Sequence, residues 1–291
     1  MKYALLRCCT TPIFLKQYES STDAVFRTIG VELVDIQEFN CCGYPIKNLS
    51  HEAYLVSSAR NLALAEQRGL NLTTICNCCY GSTKYVDHVL KQDPAKRRQT
   101  NLVLEKENLH YDGNIEVRHI LDILYNDVGL DVLKEKMVRT FKNLKIATHY
   151  GCHLLRPRKI AQFDKADSPH IFDELVGITG ANSITWKEKL ECCGSPVWGI
   201  NDNLSSDLTR KKIKNAWESG DEYLCVACPY CKLQFSRVQR MLLPMKGLDH
   251  QLPSILYTQL LGLCLGIDAD LLGIHQNELD ISGIVNFLTL M

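Results

Sequence analysis

Ten of the fourteen cysteines fall into two sets of five, and each set runs in the same order: a lone thiol, an adjacent pair followed by glycine, then a CxxC. The first set is Cys9, Cys41, Cys42, Cys76 and Cys79; the second is Cys152, Cys192, Cys193, Cys228 and Cys231. The adjacent pairs stand in nearly identical words, Cys41-Cys42-Gly43-Tyr44-Pro45 and Cys192-Cys193-Gly194-Ser195-Pro196. Thiolates are soft ligands, so a repeated order of them points first to a metal framework written twice.

The kind of metal follows from the adjacent pairs. Structural zinc takes four ligands in a tetrahedron, usually from two separated knuckles, and neighbouring side chains converge on one small ion only with strain. A body containing several iron atoms can take both, with the following glycine free to bend the chain around it at positive φ. Five thiols exceed the four of a cubane, which suggests an unusual cluster or a spare cysteine. A redox CxxC of the thioredoxin type also sits between a strand and a helix, but the lone cysteine and the CCG that accompany both pairs speak against it. Conventional ferredoxin spacing is absent. Superposing the halves sets Cys8 opposite Gly151 and Cys78 opposite Tyr230, so neither is expected among the ligands, while Cys225 and Cys264 lie in apolar surroundings and read as small buried hydrophobes.

The elements that position these thiols alternate. Lys2 to Leu6 reads as a strand into Cys9, Val31 to Ile36 as one leading to Cys41, and Leu72 to Ile75 as one delivering Cys76. Helices are expected between them: about Thr22 to Ile29 with Ser21 as N-cap, one capped by Ser50 and closed by Gly69, and one that stops before Pro94. Residues 95–114 read as a connection, followed by helical segments near Val117 to Tyr125 and Leu130 to Thr140.

The second half repeats this pattern. Strands are expected at Lys145 to Tyr150, Ser183 to Trp186 and Tyr223 to Val226, a helix starts at Ser168-Pro169, and the last helix stops before Pro244. Strands alternating with helices imply an α/β fold: two similar βαβ-type repeats with short parallel sheets, related by a pseudo-two-fold axis, with the thiols gathered at the strand C-terminal ends. The expected division is a first repeat at 1–94, a connecting helical segment at 95–144, a second repeat at 145–244 and a C-terminal docking extension at 245–291.

Composition limits the partners. Lys plus Arg (33) equals Asp plus Glu (33), so no net field favours a polyanion, and nucleic acid is not expected. The N-terminus lacks the apolar run of a signal peptide, which places the thiols in a reducing cytoplasm. The most apolar region, Leu252 to Ile267, is broken by Pro253, Gln259 and Gly262 and is too short to cross a bilayer; it reads as a buried helix or a subunit-docking face.

The arrangement Cx(31)CCGx(32)CxxC followed by Cx(39)CCGx(33)CxxC resembles the double CCG domain of the heterodisulfide reductase B-subunit family. So do His149-Tyr150-Gly151-Cys152-His153-Leu154-Leu155-Arg156-Pro157 and Cys228-Pro229-Tyr230-Cys231-Lys232-Leu233-Gln234-Phe235. The resemblance implies two noncubane [4Fe-4S] clusters, one on each set of five cysteines, and reduction of a small-molecule disulfide between them; the choice between Cys76 and Cys78 stays open. It also implies partners, a ferredoxin-like iron-sulfur subunit and a flavin subunit, through which the chain could sit at a membrane periphery. This agrees with the lack of any GxGxxG fingerprint in the chain itself.

His153, next to Cys152, is the expected proton donor, and Arg156 and Arg158 are the expected contacts for anionic substrate groups. Two other readings stay open. Family relatives in quinone-linked succinate or fumarate oxidoreductases, and in sulfur-oxidising complexes, imply an electron relay instead. A zinc-bound interaction protein is the third, and metal analysis separates it.

Overall fold

Lys2–Leu6 and Lys145–His149 are each buried at every position but the first, as befits central strands of parallel sheets covered on both faces. The structure is a computed structural model that describes residues 1–245, 248 and 250–291. Strand β1 (Lys2–Leu6) lies between β2 (Glu32–Asp35) and β3 (Asn71–Thr74), and β4 (Val117–His119) adds at the β3 edge, all parallel. After β5 (Arg139–Phe141), the second sheet repeats the plan. Strand β6 (Lys145–His149) lies between β7 (Asn182–Ile184) and β8 (Tyr223–Val226), with β9 (Ser254–Leu256) at the edge, again all parallel. The registers correspond: Leu6 faces Thr74 where His149 faces Val226. Strand β10 (Leu288–Leu290) returns to pair antiparallel with β5.

The helices follow local signals where those signals are strong. Helix α1 (Lys16–Ile29) ends at Gly30, whose φ of 82° costs glycine nothing. In α2 (His51–Gln67) the Ser50 hydroxyl accepts from the Ala53 amide at 3.2 Å. Helix α3 (Asn77–Gln92) stops before Pro94, as expected.

Elsewhere tertiary packing overrides the local reading. Helix α1 starts at Lys16, so Ser21 is not a cap; its buried hydroxyl meets that of Thr258 at 2.7 Å. Residues 95–114 are not all connection, because Asp93 caps α4 (Pro94–Leu104) by accepting from the Ala95 and Lys96 amides, each at 3.0 Å. Residues expected to open a helix at Val117 form β4 instead, and the expected helix to Thr140 ends at Lys136 before β5. Ser168 does not cap α5 (Ile171–Ile178); Asp164 accepts from the His170 and Ile171 amides at 2.6 and 2.8 Å. Helix α6 (Asp202–Glu218) is 17 residues long, as α2 is, and is capped by Asn201.

The helix after Cys231 runs through Pro244 to Met245, and residues 246, 247 and 249 of the expected C-terminal extension lie outside the described residues. The apolar stretch after Leu252 supplies β9 and then α7 (Tyr257–Cys264), which is buried throughout. Helix α7 packs on α1, and Tyr257 donates to the Leu175 carbonyl at 2.8 Å. One hydrophobic core runs through both repeats.

Candidate metal centres

The lone thiols and the first thiol of each CxxC lie where a strand hands over to a loop or helix. Cys8 and Cys9 follow β1, Cys76 is the N-cap of α3, Cys152 follows β6, and Cys228 is the N-cap of a helix that begins at Pro229. The partial positive charge of a helix start favours a thiolate there. The CCG loops turn at Gly43 (φ 82°) and Gly194 (φ 95°). A Cβ at Gly194 would lie 2.5 Å from the Ser205 carbonyl oxygen, and one at Gly43 would lie 2.9 Å from Tyr54 Cδ2. Only glycine lets these loops lie so close to the helix behind them.

Those helices hold the loops. Ser57 and Asn61 of α2 donate to the Cys41 carbonyl at 2.9 and 3.3 Å. From α6, Ser205 donates to the Gly194 carbonyl and Thr209 to that of Cys193, each at 2.9 Å.

The sulfurs then form two matching series. In the first, Cys9 neighbours Cys41, Cys41 neighbours Cys42, Cys42 neighbours Cys79, and Cys79 neighbours Cys76. In the second the order is Cys152, Cys192, Cys193, Cys231, Cys228, with Cys193 and Cys231 sulfurs 3.6 Å apart. The series meet across the seam between repeats, where Cys76 and Cys78 both neighbour Cys228.

None of the fourteen thiols is in a disulfide. Their mutual effects are opposed: Cys41 holds the Cys42 pKa far down while Cys42 drives that of Cys41 far up, and Cys152 and Cys192 do the same to each other. Such crowded thiols cannot all ionise unless a cationic body lies among them. The donor set therefore fits a multi-iron cluster in each repeat.

The structure adds residues that the repeat alignment set aside. The Cys8 sulfur groups with those of Cys76 and Cys79 within 4.8 Å, all three buried. Cys78 lies at the seam, its sulfur 3.2 Å from His153 Nδ1. The first site thus gathers seven thiols and the second five. At the second, a ring nitrogen of His149 lies within 4.8 Å of the Cys193 and Cys231 sulfurs. Alignment of the halves hid Cys8 and Cys78 because their counterparts, Gly151 and Tyr230, carry no thiol.

A cavity of about 320 Å³ opens at the seam. Cys78 contributes from the first repeat and Cys152, Cys193, Cys228 and Cys231 from the second, with Tyr44, Pro45, Pro196 and Trp198 as apolar walls. His153 lines it too, its ring edge-on to Tyr44 at 5.1 Å, and burial lowers its pKa, leaving a neutral imidazole. Arg156 and Arg158 are exposed and do not line the cavity. The two repeats are clamped by Asn77, which donates to the Tyr150 carbonyl at 2.7 Å. A Cβ at Gly151 would lie 2.3 Å from the Asn77 amide nitrogen and 3.5 Å from the Cys231 sulfur.

Two cysteine-rich repeats joined at their thiol-bearing rims define a double CCG-domain protein, and the cysteine-rich CCG domain family matches at residues 3–84 and 146–236. The chain belongs to the family of heterodisulfide reductase B subunits. It is 36% identical, over 96% of its length and 94% of the relative's, to the B subunit of the Ferredoxin/F(420)H(2)-dependent CoB-CoM heterodisulfide reductase of Methanosarcina acetivorans. It is 31% identical to the 8-methylmenaquinol:fumarate reductase membrane anchor subunit of Wolinella succinogenes, over 96% of this chain and 97% of that one. A hypothetical protein from Helicobacter pylori of known crystal structure shares the fold, with a TM-score of 0.77 at 16% identity over 97% of this chain and 52% of that one. Among the described residues no helix is long and apolar enough to cross a membrane.

Proposed function

We propose that this chain reduces a small-molecule disulfide to two thiols in the seam cavity, between two noncubane [4Fe-4S] clusters. Cys9, Cys41, Cys42, Cys76 and Cys79 would hold one cluster, and Cys152, Cys192, Cys193, Cys228 and Cys231 the other. The observation that carries this reading is that the seam cavity, lined by Cys78 of the first repeat and by Cys152, Cys193, Cys228 and Cys231 of the second, includes Cys228, the thiol at which Cys76 of the first series meets the second series. When bound, iron-sulfur clusters supply electrons singly, and two of them flanking one S–S bond meet its requirement for two electrons.

The residues do the rest. Tyr44, Pro45, Pro196 and Trp198 give the cavity apolar walls against which the carbon chains of an acyclic disulfide can pack. His153, held at Nδ1 by the Cys78 sulfur, presents a ring that passes protons to the nascent thiols. Arg156 and Arg158 serve only anionic groups that project beyond the cavity. The names of the relatives support a disulfide of the CoB-CoM kind and a place as one subunit of a larger complex; delivery of electrons by a ferredoxin-like iron-sulfur subunit and a flavin subunit at the cytoplasmic side of the cell completes the proposal.

Anaerobic preparations should hold about eight iron atoms and eight labile sulfides per chain. The reduced protein should give an electron paramagnetic resonance signal that changes when the mixed disulfide is added. Zinc without iron would overturn the cluster assignment. A full iron complement with a signal indifferent to every disulfide would overturn catalysis and leave an electron relay, as the fumarate reductase relative suggests.

A further inference from the structure

We propose that Lys212 and His149 make the second thiol site the one of higher reduction potential, so that it accepts an electron before the first. This rests on reading both sites as iron-sulfur centres. The duplicated fold supplies an internal control, since each residue near one site has a counterpart near the other. Helices α2 and α6 align over their 17 residues, which sets Asn61 opposite Lys212; strands β1 and β6 align over five, which sets Leu6 opposite His149.

Asn61 and Lys212 are both buried, and both tie a CCG loop to the helix behind it. Asn61 does so with a neutral amide, bonded to the Asn40 and Cys41 carbonyls at 3.1 and 3.3 Å. Lys212 does so with an amine that donates to the Glu188 and Glu191 carbonyls and lies 4.7 Å from the Trp186 ring centre. Two carbonyl acceptors and an aromatic face are the surroundings of an ammonium. The replacement therefore keeps the structural task and adds a buried amine; burial lowers its pKa, and the Cys193 and Cys231 thiols act against that by favouring its charged form. Two acids also act on it, Glu188 more strongly than Glu191, and Glu188 is already paired with Lys211 at 3.0 Å.

His149 replaces an aliphatic side chain with an imidazole. It is buried, packs edge-on to Phe235 at 5.0 Å, and neither ring nitrogen has a hydrogen-bond partner. One nitrogen lies within 4.8 Å of the Cys193 and Cys231 sulfurs. The dipole of a buried imidazole this close to ligand sulfur can favour the more negative, reduced state, as a nearby cation does.

Beside the first site no buried cation is left unpaired among the described residues: Arg7 is tied to Asp35 at 2.7 Å and to Asp23 at 3.1 Å, and Lys47 is exposed. Solvent at Cys9 and Cys41, both exposed, works the other way by favouring the reduced state there. A buried charge in low dielectric outweighs it, because water screens the exposed rim of the first site and not Lys212.

The test is a redox titration of the iron-loaded protein followed by electron paramagnetic resonance, with the second site's signal assigned by its loss in Cys193→Ala. In the wild type the second site should titrate above the first. Lys212→Gln and His149→Leu should each move the second midpoint down and leave the first in place, Lys212→Arg should hold it, and Asn61→Lys should raise the first. Reversed order in the wild type, or unmoved midpoints in fully loaded Lys212→Gln and His149→Leu, would overturn the inference while leaving two clusters standing. Should Lys212→Gln fail to load, the His149→Leu and Asn61→Lys shifts decide. Absence of iron from the wild type would instead overturn the cluster reading beneath it.

Discussion

Replacing Gly194 with alanine tests whether the CCG loop is fixed by close packing and not by sequence habit. At φ 95° an alanine already costs about 1–2 kcal/mol. Its Cβ would lie 2.5 Å from the Ser205 carbonyl oxygen, so the loop must retreat by about 0.9 Å to reach ordinary contact. That retreat opens the Ser205-to-Gly194 and Thr209-to-Cys193 bonds, both 2.9 Å and buried, each worth about 1 kcal/mol. The sum is about 3–4 kcal/mol, delivered where Cys192 and Cys193 must be held. Gly30→Ala is the control: its φ is 82°, nothing lies within 4 Å of the new Cβ, and its cost should stay near 1–2 kcal/mol. Thermal unfolding and iron analysis read both variants. Gly194→Ala should melt well below Gly30→Ala and, on the proposal of two four-iron clusters, lose about half its iron. Equal melting temperatures with full iron in both would refute the argument.

Two further outcomes follow from buried groups away from the thiols. Asp221 is buried with neither carboxylate oxygen partnered, and burial pushes its pKa up to about 7, against about 3.9 when unfolded. The native state then holds the proton more tightly, so the stability tied to Asp221 is complete below about pH 4 and is lost as pH rises through 7; Asp221→Asn should raise the melting temperature more at pH 8 than at pH 5, and equal gains would contradict this. Thr258→Val removes the partner of the Ser21 hydroxyl across α1 and α7, leaving Ser21 only the Tyr18 carbonyl at 3.3 Å. A loss of about 1 kcal/mol in urea unfolding, partly recovered in Ser21→Ala/Thr258→Val, is expected.

How much of this was legible from sequence depends on whether a position is governed by its own repeat or by the meeting of two. The strand, thiol and helix order was legible because it is local: Ser50 caps α2, Pro94 lies just past the end of α3, and every motif thiol follows a strand. The same local logic failed at Ser21, whose hydroxyl is claimed by Thr258 from 237 positions away, and at Val117, which completes a sheet edge instead of opening a helix.

At the thiol sites the repeat alignment worked by finding what the halves share, and so it discarded what they do not. Cys78 against Tyr230, Cys8 against Gly151, His149 against Leu6 and Lys212 against Asn61 are such differences, and each lies beside a thiol series or at the seam between them. Two identical halves would give two equivalent electron sites, with no preferred order of reduction. A buried substitution that keeps the fold's bonds while changing charge or donor type, as Lys212 does for Asn61, is the least costly way for a duplicated chain to make its halves differ in chemistry without differing in shape.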